Sequence, residues 1–183
     1  SNGFIMEAPL DELCQVIDAY KVDFKGFSDD FYINTCDGQL EPVLASMKRI
    51  KEKGVWLEIV TLVVPTMNDD DAQLEGIATW IRDSLGELTP WHVTRFHPQH
   101  ELRHIPATPV STIERAYDIG KRAGLRFVYV GNLHGHEGEQ FLFTQRHHAL
   151  DLGHERLRVR PPQARITVRM LALPTGRHAT PPP

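Results

Sequence analysis

The sequence contains only two cysteines, Cys14 and Cys36, among its 183 residues. They form neither a CxxC pair nor a disulfide framework, and two thiols are fewer than the three or four ligands that an iron–sulfur cluster normally needs. No apolar run reaches the ~18 residues of a membrane span. The first residues, Ser1 to Phe4, lack the basic and apolar regions of a signal peptide. These absences lead us to expect a cytoplasmic protein with no membrane partner.

Charge of one sign is also scarce over the whole chain, which has a net charge of −4. This value does not indicate a nucleic-acid partner. The distribution is uneven, however: residues 1–139 carry a net charge of −9, whereas residues 140–183 carry seven arginines, no lysine and two acids, a net charge of +5. We therefore predict a folded domain over residues 1–139 and a basic, Arg/Pro-rich tail over residues 140–183 that is disordered or is the product of a frameshift.

Hydrophobic patterning over residues 1–139 predicts a regular alternation of helices and strands. The predicted strands are residues 19–24, 55–64, 92–96 and 125–130. The first predicted helix has Pro9 as its first helical residue, and the second starts after Ser28, ends near Thr35 and is followed by Gly38 as a breaker. The third covers residues 40–53, the fourth is opened by Asp69 to Asp71 and runs to Leu85, and the fifth has Ser111 or Thr112 as its cap and ends at Gly124.

Alternation with buried strands favours parallel βα units. Four strands cannot close an eight-stranded barrel, and no G-x-G-x-x-G fingerprint follows a strand. The predicted class is α/β, with about four parallel strands and flanking helices that form part of a larger βα assembly, a barrel or a partial barrel.

Asp23 and Lys25 follow the first predicted strand and have the i, i+2 spacing that places both side chains on one face. Ligands bind at the carboxyl ends of parallel strands in α/β proteins, so the pair is a candidate site. The alternative is an ordinary surface ion pair, worth ~0–1 kcal/mol. The other strand ends also carry polar residues, which we expect on the same rim: Asn2-Gly3, Asn68, His97 with His100, and Asn132 with His134, His136 and Glu137.

Histidines provide a second kind of candidate site. His134 and His136 have an H-x-H spacing that can ligate zinc, with Glu137 as a further ligand; the alternative is a solvated loop. His97 could bond a ligand hydroxyl or act as a general acid or base, or it could simply satisfy loop carbonyls. A metal-dependent hydrolase that uses His97, His100, His134 and His136 is therefore one interpretation of the chain.

Three further residues receive structural interpretations. We expect Cys14 to be a buried, inert thiol on the inner face of a helix. Cys36 is expected to be a surface thiol with no cation nearby, and Thr61 is expected to form a local hydrogen bond within its buried strand.

Many ordered strings in the first part resemble one enzyme family. They are SNGF, KVDFKGF, LEPVLASM, LEIVTLVVPTMND, FHPQHEL, PATPVSTIERA and YVGNLHGHEGE. They are similar to those of the radical S-adenosylmethionine (radical SAM) enzymes of the AmmeMemoRadiSam system, which are relatives of the pyruvate formate-lyase activating enzymes. The resemblance runs from Ser1 to about Glu139.

The resemblance implies a partial (βα) barrel that binds S-adenosylmethionine on a [4Fe–4S] cluster held by a CxxxCxxC loop. The reduced cluster would cleave the cofactor to a 5′-deoxyadenosyl radical, which would abstract a hydrogen atom from an unknown substrate, a protein or a small molecule. The family's Asp-x-Lys strand end helps to hold the cofactor, a role that would fall on Asp23 and Lys25. A lysine suits the methionyl carboxylate as a compact point charge. His97 would lie near the adenosyl part, and Asn2-Gly3 would form the family's turn on the same rim.

Two departures from the family pattern limit what this chain is expected to do alone. It contains no CxxxCxxC motif, so we expect the C-terminal portion of such an enzyme, inactive as this fragment; a non-catalytic interaction module or remnant is the alternative. The family's Cys-containing segment after GHEGE is also missing, which suggests a frameshift near Glu139 or Gln140. The alternative is a genuine basic tail that contacts an acidic partner. His134 stands where the family usually has proline, which weakens its role.

Overall fold

The structure, a computed structural model, describes residues 1–133 of the chain. The residues of the predicted zinc site, His134, His136 and Glu137, lie outside the described residues. The predicted tail over residues 140–183 also lies outside them, so the boundary near Glu139, the disorder of the tail and the frameshift all stay predictions.

Residues 1–133 contain nine regular helices and strands, which alternate as the patterning predicts except that α2 and α3 are consecutive. They are α1 Glu7–Cys14, β1 Ala19–Asp23, α2 Asp29–Cys36, α3 Leu40–Glu52, β2 Trp56–Val63, α4 Asp71–Trp80, β3 Trp91–Arg95, α5 Val110–Arg122 and β4 Val128–Gly131. A π-helical turn, Ile81–Leu85, continues α4, and a short 3₁₀ turn, His100–Leu102, follows β3. None of these helices combines the length and the hydropathy needed to cross a bilayer.

The four strands form one parallel sheet in the order β1-β2-β3-β4. Four parallel strands with helical crossovers confirm the predicted class, an α/β partial barrel. Asp23 pairs with Val60, Val60 pairs with His92, and His92 pairs with Tyr129. These four residues therefore form one row across the sheet.

The first residue of the chain lies along the outer edge of β1. The amino group of Ser1 donates to the carbonyl of Lys21 at 3.0 Å, and the amide of Asp23 donates to the carbonyl of Ser1 at 2.8 Å. These two hydrogen bonds follow the pattern by which one residue pairs with a parallel strand. The edge of β1 that faces away from β2 is thus partly paired.

The two faces of the sheet differ because burial alternates along every strand. In β2, Leu57, Ile59, Thr61 and Val63 are almost fully buried, whereas the residues between them are half-buried or exposed. Helix α3 packs on β2, and α5 packs on β3 and β4. The buried side chains of this helix-packed face form the main hydrophobic core, because a strand places every second side chain on the same side.

Several predicted helix ends are correct and others are wrong. Ser28 caps α2, since its hydroxyl accepts from the amide of Phe31 at 3.3 Å. Asp70 caps α4 by accepting from the amide of Gln73 at 2.9 Å. The stop of α2 is Asp37, which adopts the left-handed conformation at φ 49°, and not Gly38; a short polar side chain tolerates this backbone better than most.

The predicted starts of α1 and α5 are wrong. Helix α1 begins at Glu7, so Pro9 is its third residue; proline fits there because the amides of the first turn have no helical partner. Helix α5 begins at Val110 after an extended Pro109, with no side-chain cap, so neither Ser111 nor Thr112 is its cap.

Most strand limits differ from the predicted ones by one residue, and the start of β4 differs by three. Strand β3 begins one residue earlier than predicted, at Trp91. Strand β4 begins at Val128, three residues later than predicted, because the buried Leu125 belongs to the connection from α5.

Candidate functional site

We call the side of the sheet opposite α3 and α5 the open face. Its side chains are Lys21 and Asp23 of β1, Trp56, Glu58, Val60 and Leu62 of β2, His92 and Thr94 of β3, and Tyr129 of β4, none of which is fully buried. The strand register places them in rows across the sheet. This face therefore carries charged and aromatic side chains where the other face carries the apolar core.

Asp23 and Lys25 lie at the carboxyl end of β1 and share one side of the chain, because the intervening Phe24 is buried in the core. The ladder continues through Phe24, whose amide donates to the carbonyl of Val60 at 2.8 Å. Among residues 1–133, neither the Asp23 carboxylate nor the Lys25 ammonium forms a salt bridge, so the surface ion pair considered above is not observed. Both charges are exposed and available to a ligand.

The backbone of Lys25 is held on two sides. Its amide donates to the hydroxyl of Tyr32 at 3.2 Å, and its carbonyl accepts from the side-chain amide of Asn68 at 2.6 Å. Asn68 is buried, also donates to Leu62 at 2.9 Å and accepts from the amide of Val64 at 2.6 Å. The amide of Asn68 is thus used to join the ends of β1 and β2, which fixes the point from which the Lys25 side chain leaves.

A small pocket lies beside Lys25. Its volume is about 60 Å³, and it is lined by Asn2, Phe4, Lys25, Tyr32, Cys36, Asp37, Gly38 and Val43. Ligand sites usually measure about 300–1,000 Å³, so this pocket holds a small group and not a whole cofactor. The structure thereby brings together two of the predicted site residues, Asn2 and Lys25.

The surroundings of Cys36 differ from those expected from the sequence. Its thiol is half-buried and close enough to Lys25 for the ammonium to act on it, so the predicted lack of a cation is wrong. Burial nevertheless raises the pKa of the Cys36 thiol, and the charge of Lys25 offsets this only in part. Burial likewise raises the pKa of Tyr32 to about 12, so the phenol keeps its proton and remains a neutral partner of the Lys25 amide.

Gly3 forms a tight turn below Asn2. Its φ is +71°, and an added Cβ would lie 2.9 Å from Val22 and 3.1 Å from Val43. The hydroxyl of Ser46 donates to the carbonyl of Gly3 at 2.7 Å. A residue without a side chain is therefore required at this position, and Gly3 contributes to the rim by placing Asn2.

His97 and His100 lie beyond the end of β3 and are exposed. Strand β2 separates them from Asp23, which places the ends of β1 and β3 about 10 Å apart at the usual strand spacing. Asn132 sits at the end of β4, where its amide donates to the carbonyl of Arg95 at 3.0 Å. The histidines therefore share the rim of the sheet with Asp23 and Lys25 without joining the small pocket.

Within residues 1–133, no group of three or more His, Cys, Asp and Glu side chains is arranged to hold a metal ion. His97 and His100 alone do not form such a group, and the proposed partners His134 and His136 lie outside the described residues. The zinc interpretation thus gains no support from the part of the chain that the structure describes.

Glu58 and His92 form a polar pair that the sequence analysis missed. Glu58 Oε2 lies 3.0 Å from His92 Nε2, and Trp56 Nε1 donates to Glu58 Oε1 at 3.1 Å. The pKa of Glu58 is lowered to about 2, chiefly by the hydrogen bond to His92. The bond to Trp56 and the charge of Lys21, whose Nζ lies 3.9 Å from Oε2, act in the same direction, and desolvation opposes them. The available signal was that Glu58 is the single charged residue in the apolar run 55–64.

Thr61 lies on the helix-packed face, and its expected structural role is confirmed. Its hydroxyl donates to the carbonyl of Phe24 at 2.8 Å and accepts from Trp91 Nε1 at 2.9 Å. Cys14 packs against the core, as expected for the inner face of a helix, but the predicted full burial is wrong because the residue is only half-buried.

Comparisons with known proteins identify several relatives, although no family model matches the chain. An uncharacterised protein of Methanocaldococcus jannaschii is 44% identical over 139 residues, which cover 76% of this chain and 41% of that protein. Pyruvate formate-lyase 1-activating enzyme of Escherichia coli is 26% identical over 141 residues, covering 70% of this chain and 57% of the enzyme. The chain thus spans roughly half the length of the curated relatives it matches.

Solved structures share the fold. A domain of pyruvate-formate lyase-activating enzyme from Bacteroides vulgatus superposes with a TM-score of 0.60 at 16% identity, over 69% of this chain and 74% of that domain. A radical SAM methyltransferase from Sphaerobacter thermophilus superposes with a TM-score of 0.55 at 19% identity, over 67% of this chain and 37% of that protein. Homology to the activating enzymes, together with this shared fold, supports a place for the chain in a radical SAM-like family.

Proposed function

We propose that this chain is the C-terminal part of a radical SAM enzyme of the AmmeMemoRadiSam type and that Asp23 and Lys25 bind S-adenosylmethionine. One observation carries the proposal: two opposite charges, unpaired among residues 1–133, stand exposed at the carboxyl end of a parallel strand in a chain homologous to activating enzymes. A ligand that carries both charges could pair with each of them.

The residues of the rim fit the methionyl end of the cofactor. That end presents a carboxylate and an ammonium group, whose charges are opposite to those of Lys25 and Asp23, respectively. The two side chains are spaced about 6–7 Å apart along the strand, so each can meet one of the two groups. Lys25 would hold the carboxylate as a point charge with three donors, and Asp23 would accept from the ammonium group.

His97, on the same rim but beyond β3, would face the adenosyl part of the cofactor. Its exposed imidazole is suited to a hydrogen bond with a ribose hydroxyl. When bound to a reduced cluster, the cofactor supplies hydrogen-atom abstraction from a substrate, which we propose to be a protein or a small molecule. The residues of this chain would bind and orient the cofactor, and none of them needs to exchange electrons.

The cluster itself does not fit this chain. Cys14 lies on α1 and Cys36 lies on α2 beside Lys25, and two thiols on separate helices do not provide the three neighbouring ligands that a cluster needs. We propose that the ligands belong to another part of a longer protein, because the chain covers only 57% of the Escherichia coli enzyme. The fragment alone would then not cleave the cofactor.

Equilibrium dialysis with labelled S-adenosylmethionine tests the binding role on a protein that joins this chain to upstream sequence with a CxxxCxxC loop. We expect Lys25→Ala to weaken binding about 10- to 100-fold, since a hydrogen bond to a charged group contributes about 1.5–3 kcal/mol. Asp23→Ala should weaken it by a similar factor.

Lys51→Ala is the matched control, because Lys51 is an exposed lysine on α3 and should leave the affinity unchanged. Anaerobic reductive cleavage of the cofactor should fall in parallel with binding in both rim variants. Undiminished binding and cleavage in Lys25→Ala and Asp23→Ala would show that the site is elsewhere.

A further inference from the structure

The open face carries a second polar group one strand away from Asp23, and its geometry is that of an acid–base pair. Glu58 accepts through both carboxylate oxygens, from Trp56 Nε1 at 3.1 Å and from His92 Nε2 at 3.0 Å. The side chains of Glu58 and His92 are 24% and 20% exposed, so the bond between them is partly shielded from water while the pair remains reachable.

The hydrogen bond determines the state of the imidazole. A carboxylate can only accept, so Nε2 of His92 must carry the proton. In the neutral ring, Nδ1 then holds a free lone pair and is an acceptor. A carboxylate that fixes one nitrogen and leaves the other to accept a proton is the arrangement by which histidine acts as a base in many enzymes.

The groups around His92 are compatible with this role. Tyr129 of β4 lies beside the ring, with centroids 5.1 Å apart. Glu58 of β2 faces it directly, Lys21 of β1 lies 3.9 Å beyond Glu58, and Asp23 of β1 shares the row of His92 with Val60 between them. A positive imidazolium would thus face one carboxylate at hydrogen-bond distance.

We propose that Glu58 and His92 form an acid–base pair on the open face, in which Nδ1 of His92 takes a proton from a hydroxyl group of a bound small molecule. The proton moves to Nδ1, and the electron pair of the broken O–H bond stays on the ligand oxygen. The resulting imidazolium carries a proton on each nitrogen and is stabilised by Glu58. His92 is the acid–base group, and Glu58 is its positioning residue.

The charge balance selects a neutral hydroxyl over a cationic donor. Glu58 already has two hydrogen-bond donors, and the nearby Lys21 ammonium would repel a second cation. A hydroxyl group meets no such repulsion. The proposal goes beyond cofactor binding, because it concerns a different pair of residues and requires neither cluster nor S-adenosylmethionine.

The first test is nitrogen NMR of the histidine-labelled chain, joined to its upstream sequence, above the ordinary pKa range of histidine. We expect His92 to show a single tautomer with Nε2 protonated and Nδ1 bare. Glu58→Gln should produce a mixture of tautomers, and Lys21→Ala, which removes a neighbouring charge but not the bond, should not. The opposite tautomer in the unaltered protein would overturn the proposal.

The second test is acylation by diethyl pyrocarbonate at pH 8, followed by peptide mass spectrometry, because this reagent needs an accessible imidazole lone pair. We expect His92 to be acylated, and Glu58→Gln to slow its reaction about two- to fivefold while the exposed His104 reacts at an unchanged rate. His104 is the internal control, and thermal melts establish that each variant is folded. An inert His92 beside a reactive His104, or a rate that Glu58→Gln leaves unchanged, would assign the pair a structural role and overturn the proposal.

Phenol and benzylammonium at millimolar concentration then test the ligand class. Phenol should shift the Nδ1 resonance of His92 in a saturable manner, and the effect should disappear in Glu58→Gln. No shift with phenol, or a shift with benzylammonium alone, would contradict a hydroxyl-bearing ligand.

Discussion

The helix-packed face and the open face are built from alternate residues of the same strands, yet they serve different purposes. In β2 the buried Ile59 belongs to the core, and its neighbour Glu58 is bonded to Trp56 and His92 on the other side. The free energy of folding comes mainly from apolar burial on the first face. The second face can therefore hold charged groups in defined geometry, because the sheet does not depend on them for its core.

Two tryptophans allow the largest test of this comparison. Trp91 is fully buried in the core, whereas Trp56 is 45% exposed on the open face. Trp91→Ala should lower the free energy of unfolding by about 3–5 kcal/mol, because it leaves a large cavity and removes the donor to Thr61. Trp56→Ala should cost about 1 kcal/mol or less. Urea denaturation measures both, and equal losses would contradict the proposed division between the faces.

Asn68 tests how strongly the rim is tied together. Asn68→Ala removes three hydrogen bonds and leaves the carbonyl of Lys25 without this donor. We expect a loss of about 2–3 kcal/mol, since an unsatisfied buried polar group costs about 1–3 kcal/mol. Asn34→Ala, at an exposed position of α2, is the control and should change stability by less than about 0.5 kcal/mol. A loss as small as that of the control would mean that water replaces the amide of Asn68.

Glu58 makes the free energy of unfolding of the protein depend on pH. Its pKa in the folded protein is about 2, below the ordinary value of 4.5. A lowered carboxylate pKa adds stability that is present above the ordinary value and is lost as pH falls towards the folded value. Between pH 5 and pH 2 we expect the protonation of Glu58 to lower the free energy of unfolding by roughly 1 kcal/mol, a value that already allows for the partial exposure of its side chain to solvent.

Comparison with Glu58→Gln isolates this contribution. The pKa of Asp11 is also lowered to about 2 by Arg49, so the unaltered protein loses stability in acid for two reasons. Glu58→Gln should lose less on acidification than the unaltered protein, as measured by denaturation at each pH. Identical slopes would place the pH dependence in groups other than Glu58.

Lys25 should give the smallest effect on stability and the largest difference between stability and binding. Its ammonium is exposed and unpaired within residues 1–133, so Lys25→Ala should change the free energy of unfolding by less than about 0.5 kcal/mol. The same variant should weaken S-adenosylmethionine binding, as proposed above. A large loss of stability would mean that the ammonium has a structural partner, which would contradict the proposed division between the two faces.

Much of the site was predictable because strand ends in parallel sheets follow simple rules. The i, i+2 spacing of Asp23 and Lys25 correctly placed them on one side at the carboxyl end of β1. The environment of Cys36 was not predictable, because α2 returns over the strand end and brings the thiol towards Lys25 from eleven residues further along the chain. Sequence separation conceals contacts of this kind.

The sequence by itself determined the order of helices and strands, the parallel sheet and the faces on which its residues lie, since these follow from hydrophobic period and connection length. Only the tertiary structure decided which polar residues meet. Glu58 and His92 are 34 residues apart, and their bond depends on the register between β2 and β3. That register is set by the packing of the helix-packed face, so the core on one side of the sheet decides which charges meet on the other.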